Sequence, residues 1–137
     1  MTGDAENGKR FTETSRETAS LKGHIPLRKK EFQYVKEHGH RIIGRRVVLC
    51  LCPAPDAKTR LGIVAGRRYH RQAVKRNRAR RLIRETFRRI RHRLTPPLWL
   101  VVIARARLLS AKQSELQDEM LALLRKYCEL QEMDPNT

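Results

Sequence analysis

The sequence contains few aromatic residues and no long apolar segment. Seven of its 137 residues are Phe, Trp or Tyr, so the chain has few rings on which a flat ligand could stack, and recognition should depend more on charge and shape. The longest apolar runs, Val47–Cys52 and Leu98–Ala104, have six and seven residues, whereas a membrane helix needs about 20. The first twenty residues have no apolar stretch typical of a secretory signal. We therefore expect a cytoplasmic protein with no membrane partner.

The spacing of the cysteines and histidines does not fit a metal site. The three cysteines, Cys50, Cys52 and Cys128, have no CxxC spacing, and the five histidines form no HxxxH or HExxH pair. Cys50 and Cys52 would project to the same face of a strand, too close together for a relaxed disulfide. We expect all three to be small apolar core residues in a reducing cytosol, and we expect no structural metal.

Acidic residues are in short supply, and the excess of basic residues is concentrated. The chain has 31 Lys and Arg against 14 Asp and Glu, a formal net charge of +17. Arg60–Arg93 contains thirteen arginines and one lysine against a single acid, Glu85, and so carries +13 of that excess. Guanidinium groups bind phosphate bidentately and keep their charge. This composition indicates a surface that binds a polyanion, and nucleic acid is the first candidate.

The distribution of apolar residues predicts one domain with two tails. Residues 1–22 are rich in Thr, Ser, Gly and Glu and nearly devoid of apolar residues, which is typical of a disordered tail. Residues 23–130 are predicted to form a single α+β domain that carries the basic surface, and residues 131–137 a flexible tail. The length suits one domain.

Apolar periodicity predicts the element order α-β-β-α-β-α, with a further short strand near residues 41–44. The predicted helices run from Pro26 to Gly39, from Gln72 to about Arg93, and onward from a capping box of Ser110 and Gln113. The predicted strands are Arg46–Cys52, Lys58–Ala65 and Leu98–Ala104. The first two strands would be joined by a hairpin-like connection, and the third would be a central strand covered on both faces. The fold class is therefore α+β, a small mixed sheet covered by helices.

The basic helix separates its apolar and arginine residues by angle, at about 100° per residue. The predicted buried stripe contains Ala79, Ile83, Phe87, Ile90 and Leu94. One flank contains Asn77, Arg80, Arg81, Arg84, Arg88 and Arg91. Arg78 and Arg89 lie on the far side with Glu85, and Arg76 projects toward the apolar stripe. The helix thus presents a nearly pure arginine flank on one side. Phe87 and Trp99 are predicted to be core aromatics.

The segment Lys75–Arg88, KRNRARRLIRETFR, resembles the RNR signature of the bacterial ribonuclease P protein component. An upstream helix with Phe32 and an HG pair, the RLG of a strand at Arg60–Gly62, and the VVIAR of Val101–Arg105 agree with that family in order. The resemblance covers about residues 24–127.

The resemblance implies a fold of order α-β-β-β-α-β-α with a left-handed β-α-β crossover, against the usual right-handed rule. It implies a protein subunit of the ribonucleoprotein ribonuclease P, an endonuclease that removes the 5′ leader of precursor tRNA. The family's large RNA carries out the Mg²⁺-dependent hydrolysis, and we expect Mg²⁺ to be held mainly by that RNA. The expected partners are the catalytic RNA, bound 1:1 by a monomer, and precursor tRNA.

The resemblance, together with the arginine flank, also predicts the site residues. Those expected to contact the catalytic RNA are Arg67, Arg68, Arg71, Arg76, Asn77, Arg78, Arg80, Arg81, Arg84 and Arg88. Those expected in a leader-binding cleft formed by the first helix and the sheet are Phe32, Lys36 and Arg60. The chain departs from the family at two positions that are often aromatic, here Lys36 and Cys50, so leader binding should depend more on charge than on stacking.

Other interpretations of the same residues stay open at this stage. A structural RNA-binding protein of the ribosomal type, without a substrate role, would have the same charge. Phe32 is either a cleft residue or a core residue of an amphipathic helix. Catalysis by the protein itself would need clustered carboxylates or histidines, and the basic block offers only Glu85. We therefore expect no catalytic and no metal-binding residue in the chain. A helix-turn-helix DNA-binding protein fits less well, because no short positioning helix precedes the basic helix.

Overall fold

A five-stranded mixed sheet covered by helices on both faces forms the part of the chain that the computed structural model describes, residues 25–133, with side chains from 26 to 130. The elements in chain order are β1 (Ile25–Pro26), α1 (Lys29–His38), β2 (His40–Ile43), β3 (Val47–Pro53), β4 (Arg60–Val64), α2 (Ala73–Ile90), β5 (Leu98–Ala104) and α3 (Gln113–Met133). Short 3₁₀ helices, Arg91–Arg93 and Ala106–Ser110, precede and follow β5. The predicted α+β class is confirmed.

The strands are arranged in the order β1-β4-β5-β3-β2. β4 is parallel to β1 and to β5, whereas β3 is antiparallel to β5 and to β2. Leu98–Ala104 is therefore the central strand, as its continuous apolar sequence predicted. β4, α2 and β5 form the expected β-α-β unit, and the left hand of its crossover stays a prediction.

Two expectations about the connections are wrong. β3 and β4 do not form a hairpin, because β5 lies between them and pairs with both. The first helix begins at Lys29 and not at Pro26, because Ile25 and Pro26 form β1 on the edge of β4. Proline fits an edge strand, since it has no N–H to donate to the ladder.

Helix α1 is bounded by two residues with clear physical roles. The Glu31 carboxylate accepts the Arg28 N–H at 2.7 Å and so satisfies a donor that the first turn leaves open. At the other end the Gly39 N–H donates to the Val35 carbonyl at 2.8 Å. A Cβ on Gly39 would stand 2.6 Å from that oxygen and 2.8 Å from the Leu51 carbonyl oxygen. The close approach of the chain to β3 requires glycine here.

The sheet separates two apolar clusters. The smaller one lies under α1 and contains Val35, Cys50, Cys52 and Trp99. The larger one lies between the sheet and helices α2 and α3, and Phe87 is among its fully buried side chains. Both predicted core aromatics are therefore buried.

Three smaller predictions have different outcomes. Cys50 and Cys52 are buried thiols as expected, but Cys128 is exposed on α3, so the core assignment was wrong for it. The Lys112 N–H donates to the Glu115 carboxylate at 2.9 Å at the start of α3. The predicted capping box of Ser110 and Gln113 is therefore wrong, since Ser110 belongs to the preceding 3₁₀ helix.

The predicted tails fall mostly outside the described residues. Residues 1–22 and 134–137 are not among them. Helix α3 extends to Met133, within the segment 131–137 that the sequence predicted to be a tail.

Candidate nucleic-acid interface

Helix α2 presents an arginine flank, which we define as Asn77, Arg80, Arg81, Arg84 and Arg88. The predicted apolar stripe of this helix is buried against the sheet and α3. The flank is consequently turned outward, with four of its side chains exposed and Arg80 half-buried. Burial of the apolar stripe therefore fixes the direction in which these guanidinium groups point.

The middle of the arginine flank borders a groove that also reaches α1. The groove has a volume of about 260 Å³. It is lined by Pro26, Leu27, Phe32, Leu61, Gly62, Ile63, Arg80 and Arg84. An apolar floor with an aromatic ring and two cations at its rim suits a nucleotide, whose base is flat and whose phosphate is anionic.

Phe32 combines the two roles that the sequence left open. Its ring packs at the border of the α1-side cluster and stays half-buried, so one part belongs to the core and another lines the groove. The ring lies over Gly62, where a Cβ would stand 2.4 Å from the Phe32 Cζ. Gly62 therefore leaves the space that the ring occupies.

Beside Phe32 the α1-side face of the sheet carries cations over a thiol. Lys36 lies on the exposed side of α1, and Arg41 is the cross-strand neighbour of the buried Cys50. Burial raises the pKa of the Cys50 thiol, and the positive charges of Arg41 and Lys36 only partly oppose the shift. The thiol therefore stays neutral, and Lys36 and Arg41 add positive charge near it. Neither residue lines the groove, so the structure does not bring the predicted cleft residue Lys36 into its lining.

Arg60, a predicted cleft residue, is engaged by other side chains. Its guanidinium is 2.6 Å from the Asp56 carboxylate and 3.7 Å from that of Glu31, and it lies 5.7 Å from the centre of the Trp99 ring. Only 15% of its side chain is exposed. Partial burial alone would raise the pKa of Asp56, but hydrogen bonds from Arg60, Trp99 and a backbone N–H hold it below its usual value. Arg60 thus ties the β3–β4 connection to α1, and it is not among the residues that line the groove.

Two arginines of the signature, Arg76 and Arg78, are hydrogen-bonded to the backbone. One Arg76 nitrogen, Nη1, donates to the carbonyls of His70 at 3.1 Å and Arg71 at 2.7 Å, which secures the loop before α2. Arg78 donates to the Leu109 carbonyl on the α3 side of the helix. Both residues therefore position chain segments as well as adding charge.

Glu85 neutralises part of the charge at the end of α2. Its carboxylate forms ion pairs with Arg88 at 2.5 Å and Arg89 at 3.0 Å. The hydrogen bond from Arg88 is the main reason that the pKa of Glu85 lies below its usual value. Arg88, although it belongs to the arginine flank, thus has its charge partly compensated, whereas Arg80 and Arg84 have no acidic partner among the described residues.

The loop before α2 extends the basic surface. The loop carries three exposed arginines, Arg67, Arg68 and Arg71. Their guanidinium groups form no ion pair with any described residue. The loop follows β4 directly and leads into the N-terminus of α2, which favours anions. All three predicted residues therefore lie at one end of the arginine flank.

Residues 25–133 contain no group of three or more His, Cys, Asp or Glu residues that could hold a metal ion. No helix in the same range has the length and apolar character that crossing a membrane requires.

Comparison with known proteins identifies the family. The model of the family described as Ribonuclease P matches residues 22–128. The chain belongs to the ribonuclease P protein family. Among its curated relatives, the ribonuclease P protein component of Coxiella burnetii is 41% identical over 88 residues, which cover 64% of this chain and 72% of the relative. That of Chloroflexus aurantiacus is 36% identical over 102 residues, covering 74% and 75%.

Solved structures of ribonuclease P proteins have the same fold. The ribonuclease P protein of Thermotoga maritima matches with a TM-score of 0.65 at 26% identity, covering 74% of this chain and 96% of the other. That of Staphylococcus aureus matches with a TM-score of 0.64 at 25% identity, covering 77% and 94%. The predicted resemblance is confirmed, and with it the role of a ribonuclease P protein subunit, associated with ribonuclease P RNA in tRNA 5′ processing.

Sequence reasoning missed Arg41 and the engagement of Arg60. Arg41 lies outside the basic block, and only the register of β2 on β3 brings it beside Cys50. Arg60 is compensated by Asp56, four residues earlier, and by Glu31 of α1. The four-residue spacing of Asp56 and Arg60 was the one sign in the sequence that Arg60 would be paired.

Proposed function

We propose that this ribonuclease P protein binds the catalytic RNA through the arginine flank and the 5′ leader of precursor tRNA through the groove beside α1. The observation that carries the proposal is the shared lining of the groove. Arg80 and Arg84 of the flank and Phe32 of α1 border the same space. A leader in the groove would thus lie next to RNA bound on α2.

Phosphate neutralisation supplies most of the affinity in this proposal. Each phosphate contact made by Lys or Arg releases counterions, so the affinity falls steeply as salt rises. Arg81 and Arg84 are exposed on the flank, and Arg67 and Arg68 extend it past the start of α2. A run of arginines along one helix suits a backbone with regularly spaced charges.

The leader would be held with little dependence on its sequence. Phe32 offers one half-buried ring for a base, and Lys36, exposed one turn further along α1, offers a charge for a neighbouring phosphate. Aromatic stacking tolerates any base, and ion pairs with phosphate carry no sequence information. Arg60 acts here as a positioning residue, because its guanidinium is already bound by Asp56.

The hydrolysis itself we assign to the RNA. A nuclease active site needs a general base or clustered metal ligands. The Asp56 carboxylate is bound by Arg60 and Trp99, and that of Glu85 is bound by two arginines. The described residues do not fit a resident Mg²⁺ site, and we propose that Mg²⁺ is held by the RNA. The protein contributes charge neutralisation and positioning.

The remaining expectations are part of the same proposal. The protein would act as a monomer bound 1:1 to the catalytic RNA. It would act in the cytoplasm, because precursor tRNA is transcribed there. Measuring the mass of the reconstituted particle by light scattering tests the stoichiometry directly.

Reconstitution tests the proposed function. The purified chain is combined with the cognate catalytic RNA, and 5′-leader removal is measured at low Mg²⁺ with RNA alone, with protein alone and with both. We expect cleavage to depend on the RNA and to be accelerated by the protein, with none from the protein alone. Cleavage by the isolated protein, or an RNA rate that the protein leaves unchanged, would contradict the proposal.

A further inference from the structure

A second group of arginines lies at the end of the sheet where β2 turns into β3. The turn between these strands and the segment that follows β5 meet there, because Val47 pairs with Ala104. Between them is a depression of about 200 Å³. It is lined by Arg45, Arg46, Arg107, Ser110, Ala111 and Glu115. We call it the turn depression.

A nearly buried carboxylate holds one side of the turn depression. The Glu119 side chain on α3 is only 10% exposed. It accepts the backbone N–H groups of Arg46 at 2.8 Å and Val47 at 3.2 Å. It also forms an ion pair with the Arg46 guanidinium at 3.0 Å. The beginning of β3 is therefore fixed to α3.

Arg105 fixes the turn from the other side. Its N–H donates to the Arg46 carbonyl at 2.9 Å, and its guanidinium donates to the Gly44 carbonyl. A Cβ on Gly44 would stand 2.8 Å from the Val47 carbonyl oxygen and 2.4 Å from the Glu119 Oε2, so this packing leaves room only for glycine. The backbone on both sides of Arg45 is thus held rigidly, while the Arg45 side chain stays exposed.

The charges of the turn depression are only partly compensated. Arg46 is paired with Glu119, and the Glu115 carboxylate accepts the Lys112 N–H at 2.9 Å. Arg45 and Arg107 form no ion pair with any described residue. Exposed Asp118 lies on the neighbouring turn of α3. Two guanidinium groups and the Ser110 hydroxyl are thus available as donors to an anion.

The turn depression is attached to the basic helix. Arg78 of α2 donates to the carbonyl of Leu109, in the same 3₁₀ helix that carries Arg107 and Ser110. Ala111 of the depression belongs to the cluster on the α2 and α3 side of the sheet, whereas Phe32 of the groove belongs to the α1 side. The depression therefore continues the surface of α2, and it shares no lining residue with the groove.

The inference rests on the proposed function. We propose that Arg45 and Arg107 bind a phosphodiester of the catalytic RNA, as a second contact beyond the arginine flank. The groove that would hold the leader shares no lining residue with the depression. A large folded RNA, in contrast, can contact two surfaces joined by one helix. The rigid turn presents Arg45 without the entropic cost of ordering the loop on binding.

The test uses a full-length double variant, Arg45→Gln with Arg107→Gln, and compares it with a matched control. The control combines Arg125→Gln and Lys126→Gln, two exposed cations of α3 outside both surfaces. Affinity for the catalytic RNA is measured by filter binding at several salt concentrations. Precursor-tRNA affinity is measured with the reconstituted holoenzyme. Thermal unfolding verifies that each variant folds.

We expect the Arg45 and Arg107 variant to bind the catalytic RNA on the order of tenfold more weakly. The slope of log K against log salt should fall by roughly 0.7–0.9 for each lost phosphate contact. The control should match the native chain. Lysine at both positions should restore the salt dependence.

Affinity equal to that of the control would overturn the inference, and so would a loss confined to precursor tRNA. Arg80→Gln combined with Arg84→Gln separates this result from failure of the proposed function. If that variant loses RNA affinity while the Arg45 and Arg107 variant does not, the turn depression is excluded as an RNA contact and the proposed function still stands. If the native chain does not bind the catalytic RNA, the proposed function fails as well.

Discussion

The ring of Phe32 lies over Gly62 so closely that a Cβ on the glycine would stand 2.4 Å from the Phe32 Cζ. This contact joins α1 to β4, the strand that leads into the loop before the basic helix. The groove depends on it, because both residues line the groove together with Arg80 and Arg84.

Gly62→Ala should displace the Phe32 ring without unfolding the protein. The clashing atom is the far end of a side chain that can rotate, so we expect the melting temperature to fall by only a few degrees, about 1 kcal/mol or less. The displaced ring would enter the groove and reduce the affinity of the holoenzyme for precursor tRNA. Gly66→Ala is the control, since no atom lies within 4 Å of a Cβ there. Equal affinities for the two variants would contradict this role of the contact.

Phe32→Ala should weaken precursor-tRNA binding by the holoenzyme far more than mature-tRNA binding. Loss of one base–aromatic stack costs roughly 1–3 kcal/mol, which is about fivefold to more than a hundredfold in affinity. Mature tRNA has no leader and would not lose this contact. Equilibrium binding of the two tRNAs to the same holoenzyme measures the difference. Equal losses would indicate that Phe32 acts only in the core.

Arg80→Ala combined with Arg84→Ala should weaken binding of the catalytic RNA and flatten its salt dependence. Neither residue has an acidic partner among the described residues, so their charges are available to phosphate. Each lost contact should reduce the slope of log K against log salt by roughly 0.7–0.9. Arg89→Ala, a residue already paired with Glu85, provides a comparison that should change the slope less. An unchanged slope in the double variant would count against the arginine flank as the contact surface.

Glu119→Ala should destabilise the protein by about 2–4 kcal/mol. The substitution leaves the N–H groups of Arg46 and Val47 without their acceptor and removes an ion pair, and unsatisfied buried donors cost about 1–3 kcal/mol each. Urea unfolding gives the free energy difference. Glu129→Ala, an exposed position of the same helix, should cost less than about 0.5 kcal/mol. A loss no larger than this control would show that the carboxylate does not hold the turn.

Asp56→Asn should lower the free energy of unfolding by about 1 kcal/mol at pH 7, and the loss should shrink in acid. The pKa of Asp56 is below its usual 3.8 in the folded protein. Its ionised form therefore contributes stability above about pH 4, and this contribution is lost as the pH falls from there through the folded pKa. Chemical unfolding from pH 7 to pH 3 measures the effect. A difference between native and variant that does not depend on pH would contradict the assigned role.

Local patterns predicted the basic helix well. The positions of Ala79, Ile83 and Phe87 repeat at the helical period, and their burial determines where Arg80 and Arg84 point. These relations lie within a few residues of each other. The central strand was also predictable, because its seven apolar residues can be covered only in the middle of a sheet.

Relations between distant segments were not predictable from those patterns. The assumed hairpin of β3 and β4 failed because β5, some forty residues later, enters between them. Arg45 and Arg107 are too far apart in the sequence to be recognised as one surface. Cys50 and Arg41 become neighbours only through strand register. The cation that the sequence assigned to the cleft, Arg60, is compensated by Glu31 of another element.

The central position of β5 also sets the order in which a growing chain can reach this fold. At the time when α2 has left the ribosome but β5 has not, the strands β3 and β4 still lack the central strand that pairs with both of them. The arginine-bearing helix thus leaves the exit tunnel before the platform that orients it is complete. Nascent chains halted before Leu98 should therefore carry the full positive charge of the helix without its fixed geometry, and should bind RNA without selectivity.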